Sequence, residues 1–470
     1  MDSPFWQNVG DIFSRLRGKS LGVAVAIWAV LLLFALACAL GWIGFPGGKQ
    51  PEAQASPTAT ALVSPGTEGT SQTVVPQPTT SNGFMTLSTP TSQAGEPSAE
   101  APDSTSQLPP LPWGDFGYGI AAHAIGMPDY TLDQIAYQLN LTWVKQQVRW
   151  DHFSTEPGQM DWSGYDVMVD FANERNLKVM MSIVGAPAWS RTYVDSNPEA
   201  APPDDLAVFA EFLGELVDRY HGKVHAIEIW NEQNLDREWD TAVGVKAADY
   251  VEMLRLAYQT IKARDPGIIV ISGALSPVGA SATDPANPNR VIYMDDFQYF
   301  QQMVDAGFLA YADCVGAHHN GINMPPDVAW DEGYNDPDAQ FRGPFDNPDH
   351  SWSFKSTLWG YHDRIEQAGY DKPLCVTEFG WATAEGFDGY PTGFEFALDN
   401  TLAEQAAWDV QAFQLMREWG FVHLAFLWNL DYSYKGGSGA TDPNAPYSLL
   451  DLQGAARPAF GAIADMPKIP

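Results

Sequence analysis

Basic residues and cysteines are scarce in this chain. Lys and Arg together number 25 against 58 Asp and Glu, so the formal charge is −33 over 470 residues. A surface of that sign excludes nucleic acid and anionic membrane surfaces as docking partners, because both need dense positive patches. Neutral or weakly charged ligands fit better. The cysteines are three, Cys38, Cys314 and Cys375, and buried free thiols are expected at the last two ahead of a structural disulfide. Cys314 and Cys375 each lie inside an apolar, strand-like run, the setting of buried free thiols. Close internal sequence repeats are absent as well, beyond the alternation of strand-like and helix-like segments described below.

Uncharged apolar runs are rare, with one exception. Leu21 to Phe45, LGVAVAIWAVLLLFALACALGWIGF, exceeds the roughly 20 residues that a helix needs to cross a bilayer core. Arg15, Arg17 and Lys19 flank its amino-terminal side, and Lys49 stands alone beyond it. That bias predicts a single-pass span with a cytoplasmic tail at 1–20 and the remainder extracellular. A cleaved signal peptide would have a shorter apolar core. Lipidation of Cys38 in Ala35-Leu36-Ala37-Cys38 is an alternative anchor, although the apolar run continues past it. Residues 46–112 are rich in Pro, Ser, Thr, Gly and Ala with few aromatics. Such a composition buries too little apolar surface to offset its ordering entropy, which predicts a disordered stalk. The domain expected at 113–470 is dense in Trp, Tyr and Phe.

Within that domain strand-like and helix-like segments alternate. Apolar or β-branched runs occur at 116–124, 143–150, 178–189, 224–232, 268–276, 313–320, 373–381 and 422–430. Between them, Leu206, Phe209, Ala210, Leu213, Val217 and Tyr220 follow helical spacing, as do Tyr250, Leu254, Tyr258 and Ile261. Thr131-Leu-Asp-Gln134 and Thr401-Leu-Ala-Glu404 have the form of capping boxes. Eight short apolar strands separated by helices predict parallel pairing and closure into a (β/α)₈ TIM barrel. In that fold the active site gathers at the carboxyl ends of the strands.

Two of those ends carry a carboxylate. Alternation along the fourth run places Glu228, Trp230 and Glu232 on one face, and along the seventh Val376, Glu378 and Gly380 share a face. Glu232 and Glu378 then project into the barrel mouth, with Arg149 ending the second run beside them. A lone Glu at a strand end is more often an ion-pair or capping residue. Two of them facing each other suit glycosidic bond cleavage, in which one acid protonates the leaving oxygen and the other attacks the anomeric carbon.

The stretches WNEQN (230–234) and TEFGW (377–381) resemble the fourth- and seventh-strand ends of the clan A retaining glycoside hydrolases. YGIAAHA and DLQGAARPAF point toward the β-xylosidase and exopolysaccharide-hydrolase branch, with cellulase-like enzymes near it. The resemblance covers about Phe116 to Phe460 and implies Glu232 as acid/base and Glu378 as nucleophile. It also implies Asn231 as a partner of the sugar 2-hydroxyl, and Arg149 as the cation beside Glu378. His318 corresponds to a position near the nucleophile, and Trp428 to the aromatic floor of the central subsite. Gln233 replaces the usual Pro.

His123, Trp381 and Trp189 are further candidate subsite residues, through stacking on sugar faces. Glu228, deeper in the barrel, is expected to pair with a basic neighbour. The long acidic connection 321–352 is expected to form a cleft wall; its acids lack the ordered spacing of a calcium loop. The implied chemistry needs no metal and no cofactor. The sequence thus predicts a membrane-anchored extracellular retaining β-glycosidase with a poly- or oligosaccharide substrate. A non-catalytic glycan-binding barrel is the alternative. A metal-dependent barrel hydrolase using His123, His318 and His319 is disfavoured, because no His-x-His ends the first strand.

Overall fold

The computed structural model describes residues 108–192 and 201–470. Eight parallel strands form one sheet: β1 (Gly117–Ala121), β2 (Trp143–Arg149), β3 (Lys178–Val184), β4 (Ala226–Ile229), β5 (Ile269–Ser272), β6 (Val315–Gly321), β7 (Leu374–Trp381) and β8 (Val422–Leu427). Their order around the sheet is β5-β4-β3-β2-β1-β8-β7-β6. The two outer strands meet through a bridge between Ile271 and Cys314, so the barrel is nearly closed. Seven strands fall within one of the eight apolar runs, and β6 passes the end of its run by one residue, Gly321.

Eight α-helices of six residues or more occur among the described residues: α1 (Pro128–Asp133), α2 (Ser163–Glu174), α3 (Leu206–Arg219), α4 (Ala247–Arg264), α5 (Asp296–Asp305), α6 (Phe354–Gln367), α7 (Leu402–Trp419) and α8 (Pro458–Asp465). In α3, Asp205 caps the amino terminus by accepting from the Ala207 amide, and Phe209, Phe212, Leu213, Leu216 and Val217 are buried. Burying each such side chain contributes about 1.5–3 kcal/mol, which fixes the face that packs on the sheet. Thr401 and Glu404 form the expected capping box of α7. The box expected at Thr131 does not form, because the helix starts three residues earlier, at Pro128. Pro's fixed φ and missing amide suit the first turn.

Three sequence-based expectations require correction. No helix among the described residues is long and apolar enough to cross a membrane. The longest, α4 and α7, have 18 residues each and are interrupted by charges such as Glu252, Arg255 and Glu418. The span expected at Leu21 to Phe45, the tail before it, Cys38 and most of the stalk lie outside the described residues. The membrane-anchored, single-pass, extracellular description is therefore replaced by what the structure carries, a (β/α)₈-like barrel without a spanning helix among its described residues.

Cys314 and Cys375 are not free thiols but a disulfide, with Cα atoms 5.8 Å apart. They lie on or beside the neighbouring strands β6 and β7 and share an interior layer with Trp143, Met180, Ala226, Ile271, Leu424 and Phe426. Strand pairing brings together two residues 61 positions apart, which spacing alone does not reveal.

The fourth strand, finally, is shorter than its apolar run. It ends at Ile229, and both Trp230 (φ 75°) and Glu232 (φ 41°) adopt left-handed backbone.

Candidate active site

Two irregularities at strand ends aim the carboxylates. After Ile229 the left-handed residues break the alternation assumed for the fourth run. Trp230 turns outward, buried against Phe209 and Trp239, with its Nε1 donating to the Glu238 carbonyl at 2.7 Å. The strained turn is held from below. The Glu232 amide donates to Ala274 O at 2.9 Å, Gln233 Nε2 to Gly273 O at 2.8 Å, and Asn234 Nδ2 to Ser276 O at 2.9 Å. Side chains beyond a left-handed residue do not follow strand parity, and backbone strain of this kind persists only where surrounding bonds enforce it. Gln233, where the resembling family has Pro, serves that purpose.

In β7 the register against β6 slips by one residue, so that Ala317 faces Val376 while His318 faces Glu378. Such a bulge lets neighbouring residues point to one side. Thr377 Oγ1 donates to Glu228 Oε1 at 2.6 Å, and Glu378 Oε1 accepts from Lys145 Nζ at 2.9 Å. Both therefore reach the barrel interior.

The resulting cluster is continuous. Lys145, 1% exposed, lies between Glu228 (3.3 Å) and Glu378 (2.9 Å). The His318 imidazole lies among the three glutamates, with Nδ1 at 3.3 Å from Glu232 Oε1 and Nε2, which makes no hydrogen bond, at 3.8 Å from Glu378 Oε1 and 3.9 Å from Glu228 Oε1. Glu232 and Glu378 are each 6% exposed, whereas Glu228 and His318 are sealed. Solvent thus touches the two carboxylates that the sequence singles out and not the groups beneath them.

Electrostatics follow from this packing. Burial pulls the Lys145 ammonium down, but Glu228 and Glu378 outweigh it and hold its pKa above the usual value. Burial likewise pulls His318 down, and Glu378 and Glu232 more than reverse it. Glu228 is raised by burial and brought below the ordinary carboxylate range by Lys145 and His318. Glu232 is raised by burial but driven to about 2 by Arg237 and His318. The Arg237 guanidinium lies 2.5 Å from Glu232 Oε2, with its side chain 51% exposed. Next to it Glu238 is pushed up to about 7, by burial and by the charges of Glu232 and Glu378 working against Arg237 and Arg149.

The other predicted residues divide into those near the cluster and those away from it. Asn231 is buried beside Glu232, and its Oδ1 has no hydrogen-bond partner in the protein. Trp428 has Lys145 Nζ 5.8 Å from its ring centre and meets Tyr432 edge-on at 4.8 Å. His123, exposed, stacks on the same Tyr432 at 3.7 Å, extending an aromatic wall outward from Trp428. Arg149 pairs with Asp151 at 3.1 Å, and it is Lys145, four residues earlier on the same face of β2, that contacts the nucleophile candidate Glu378, at 2.9 Å.

Trp381 is 1% exposed, donates from Nε1 to Met324 O at 2.8 Å, and packs on Phe354, so it belongs to the core. Trp189 is partly buried against Trp150. In the 321–352 connection, Asn323 Nδ2 donates to Phe341 O and to Asp399, which ties the segment down, and Trp330 is 42% exposed.

Lys145, Arg237 and Glu238 are missed by sequence reasoning as functional residues. For Lys145 a signal exists: a lysine inside a barrel strand must be paired if buried. For Arg237 and Glu238 none does, because a loop decides their direction. One trio among the described residues has metal-capable spacing, Asp295, Asp296 and His350. The oxygens of Asp296 are already used by the Val278 amide, His350 Nε2 and Tyr361 hydroxyl, an arrangement that pins the end of the 321–352 connection to α5.

No protein-family model matches the chain. Among solved structures it is similar to a family 39 glycoside hydrolase from the gut symbiont Bacteroides cellulosilyticus WH2, at 17% identity and TM-score 0.51, covering 74% of this chain and 62% of that one. It is also similar to a glucosidase from Croceicoccus marinus, at 14% identity and TM-score 0.50, covering 74% of this chain and 66% of that one. The chain spans less than two thirds of either protein's length, and at these identities what is shared is the fold, a (β/α)₈ barrel of the kind used by glycoside hydrolases.

Proposed function

We propose that this chain is a retaining β-glycosidase of the clan A type, with Glu378 as nucleophile, Glu232 as acid/base and a poly- or oligosaccharide as substrate. The observation that carries the reading is that one imidazole, His318, lies within 4 Å of both carboxylates, its Nδ1 3.3 Å from Glu232 and its Nε2 3.8 Å from Glu378. Glu232, from the turn after β4, and Glu378, from β7, thus border the same small space. Double displacement calls for carboxyl groups about 5–5.5 Å apart.

In the first step a Glu378 oxygen forms a bond to the anomeric carbon while the glycosidic C–O bond breaks, and the proton of Glu232 passes to the departing oxygen. In the second, water attacks the same carbon, Glu232 takes its proton, and the glycosyl ester bond to Glu378 opens. Lys145, through its 2.9 Å contact, fixes which Glu378 oxygen faces the substrate. The unpartnered Oδ1 of Asn231 can accept from a sugar hydroxyl, and the Trp428–Tyr432–His123 wall offers apolar faces for sugar rings. Neither metal nor cofactor enters these steps.

The test is hydrolysis of β-linked substrates by the full chain, with the anomeric configuration of the first product read by proton NMR. Retention, loss of turnover in Glu378→Ala, and rescue of that variant by azide support the reading. Inverted product, or unchanged turnover in Glu378→Ala, refutes it. Glycan binding without hydrolysis on a broad panel favours the non-catalytic barrel instead.

A further inference from the structure

The resting site contains a conflict. A general acid must hold a proton when the substrate arrives, yet Glu232 carries a guanidinium at 2.5 Å and its pKa is driven to about 2 by Arg237 and His318 against burial. His318 is sealed in the barrel and does not move away without breaking the core. Arg237 is different, since its side chain is half exposed.

Its backbone, however, is fixed on both sides. The Asp236 amide donates to Ile292 O at 2.8 Å, Leu235 bridges Tyr293, and Arg290 clamps Asp236 at 3.2 Å and Asp240 at 2.6 Å. Any release of Glu232 is therefore a rotation of the Arg237 side chain alone. The groups facing Glu232 are Arg237 and Glu238 from its own loop, His318 from β6, Glu378 from β7, and Tyr447 from the segment after β8. Arg237 is the only one of these that is both cationic and on the solvent side.

Sugar hydroxyls compete poorly with a carboxylate for a guanidinium, because charge-assisted, forked hydrogen bonds are about twice as strong as neutral ones. A second carboxylate competes on equal terms. Resting on the hydrolase reading, we propose that the substrate carries a carboxylate on the leaving-group side of the scissile bond, and that this carboxylate draws Arg237 away from Glu232. The acid/base of such a mechanism faces the leaving group, which assigns the anionic sugar, a uronic acid, to that side.

The exchange serves both half-reactions. While the acidic sugar is bound, Glu232 loses its cation and gains a negative neighbour, and burial then favours its protonated form. When the leaving sugar departs it takes its carboxylate with it, Arg237 returns, and Glu232 becomes the ionised base that the second step requires. The chain's overall charge of −33 does not oppose this at contact range, since exposed charges beyond about 8 Å are largely screened at physiological salt.

The experiment compares β-linked oligosaccharides having a uronic acid immediately after the scissile bond with the same oligosaccharides after carboxyl reduction, on the full chain and on Arg237→Gln. In the wild type kcat/KM is expected to be about ten- to hundredfold higher for the acidic form, the range of one charge-assisted hydrogen bond. Arg237→Gln erases that preference and moves the basic limb of the neutral substrate's pH profile to higher pH, because Glu232 is no longer held ionised. A misfolded loop would lower both activities together and leave the limb in place, so the lost preference and the shifted limb separate the two causes. Equal rates on both forms, or a preference that survives in Arg237→Gln, overturn the inference while leaving the hydrolase reading intact. Absence of any hydrolysis overturns both.

Discussion

Replacing Lys145 by Met tests the buried charge cluster most directly. The ammonium is 1% exposed, ion-paired with Glu228 at 3.3 Å and hydrogen-bonded to Glu378 at 2.9 Å. Met keeps most of the volume but leaves Glu228, fully buried, without its main counter-charge. Removing one partner of a buried pair costs about 3–5 kcal/mol, a large share of the roughly 5–15 kcal/mol that stabilises a domain. With an unfolding entropy of about 2.1 cal/mol/K per residue, that corresponds to a Tm lower by roughly 4–7 °C for a barrel of this size.

The pH dependence has a definite sign. In the wild type Glu228 has a folded pKa below its ordinary value because Lys145 and His318 outweigh burial; its contribution is present above the unfolded pKa and is lost as pH falls through the folded one. Without Lys145, burial prevails and the folded pKa shifts upward. The deficit of Lys145→Met is then largest at neutral pH and shrinks as the pH falls through the variant's raised folded pKa toward about 4.5, where the carboxyl that the variant buries is neutral in both its folded and its unfolded chain. Thermal unfolding followed by circular dichroism at pH 7 and pH 4 reads both effects. The double variant Lys145→Met/Glu228→Leu should regain most of the stability, since an apolar replacement of a buried pair is often neutral, but should not regain activity. A single variant as stable as the wild type at pH 7, or a deficit that grows in acid, refutes the assignment.

Opening the disulfide by Cys314→Ser together with Cys375→Ser releases a loop of 61 residues, for which chain entropy gives a loss of about 4 kcal/mol; a Tm unchanged by the substitutions and by reductant contradicts it. His318→Phe removes the imidazole beside the two glutamates, so kcat should fall at least tenfold and Glu232 should titrate higher, seen as a basic limb moved up in pH; an unaltered profile would show that His318 only fills space. Asn231→Leu should raise the barrier for a substrate with a 2-hydroxyl by about 1–3 kcal/mol, the cost of leaving a buried polar group unpaired, and should matter far less for the 2-deoxy analogue. Chelator should leave activity intact, because the oxygens of Asp296 are already committed to protein donors.

Much of the barrel was legible in the sequence because it depends on local pattern. Each of the eight apolar runs holds one strand, and short parallel strands read as apolar runs whatever their neighbours are. The carboxylates at 232 and 378 were legible by position but not by the route used to reach them. Alternation presumed that the fourth strand continued to Glu232, whereas it stops at Ile229 and the chain turns through two left-handed residues. A strand-parity argument holds only within a strand; beyond its end, the bonds that enforce the turn come from Gly273, Ala274 and Ser276, about forty residues downstream. For the same reason the cystine was illegible, being set by the pairing of β6 with β7.

The exchange of Arg149 for Lys145 shows where resemblance and physics part. Resemblance favoured the arginine at the strand end, because a cation beside the nucleophile is expected there. Depth decides otherwise. Arg149 sits at the rim, where its side chain is 29% exposed and Asp151 is within reach. Lys145 lies four residues below, among groups that are almost wholly buried. A carboxylate so nearly sealed as Glu378 needs a partner that is itself removed from water, since attraction between charges weakens as solvent enters. The shorter cation inside the barrel satisfies that condition and the longer one at its edge does not. The rim arginines, Arg149 and Arg237, are thereby left at the height where a substrate arrives, and Arg237 bears directly on the proton of Glu232. Under the proposed mechanism the floor of the site orients Glu378 as nucleophile and the rim governs Glu232 as acid, so variants at positions 145 and 237 should separate cleanly: the first lowers turnover of every substrate, and the second changes which substrate is turned over.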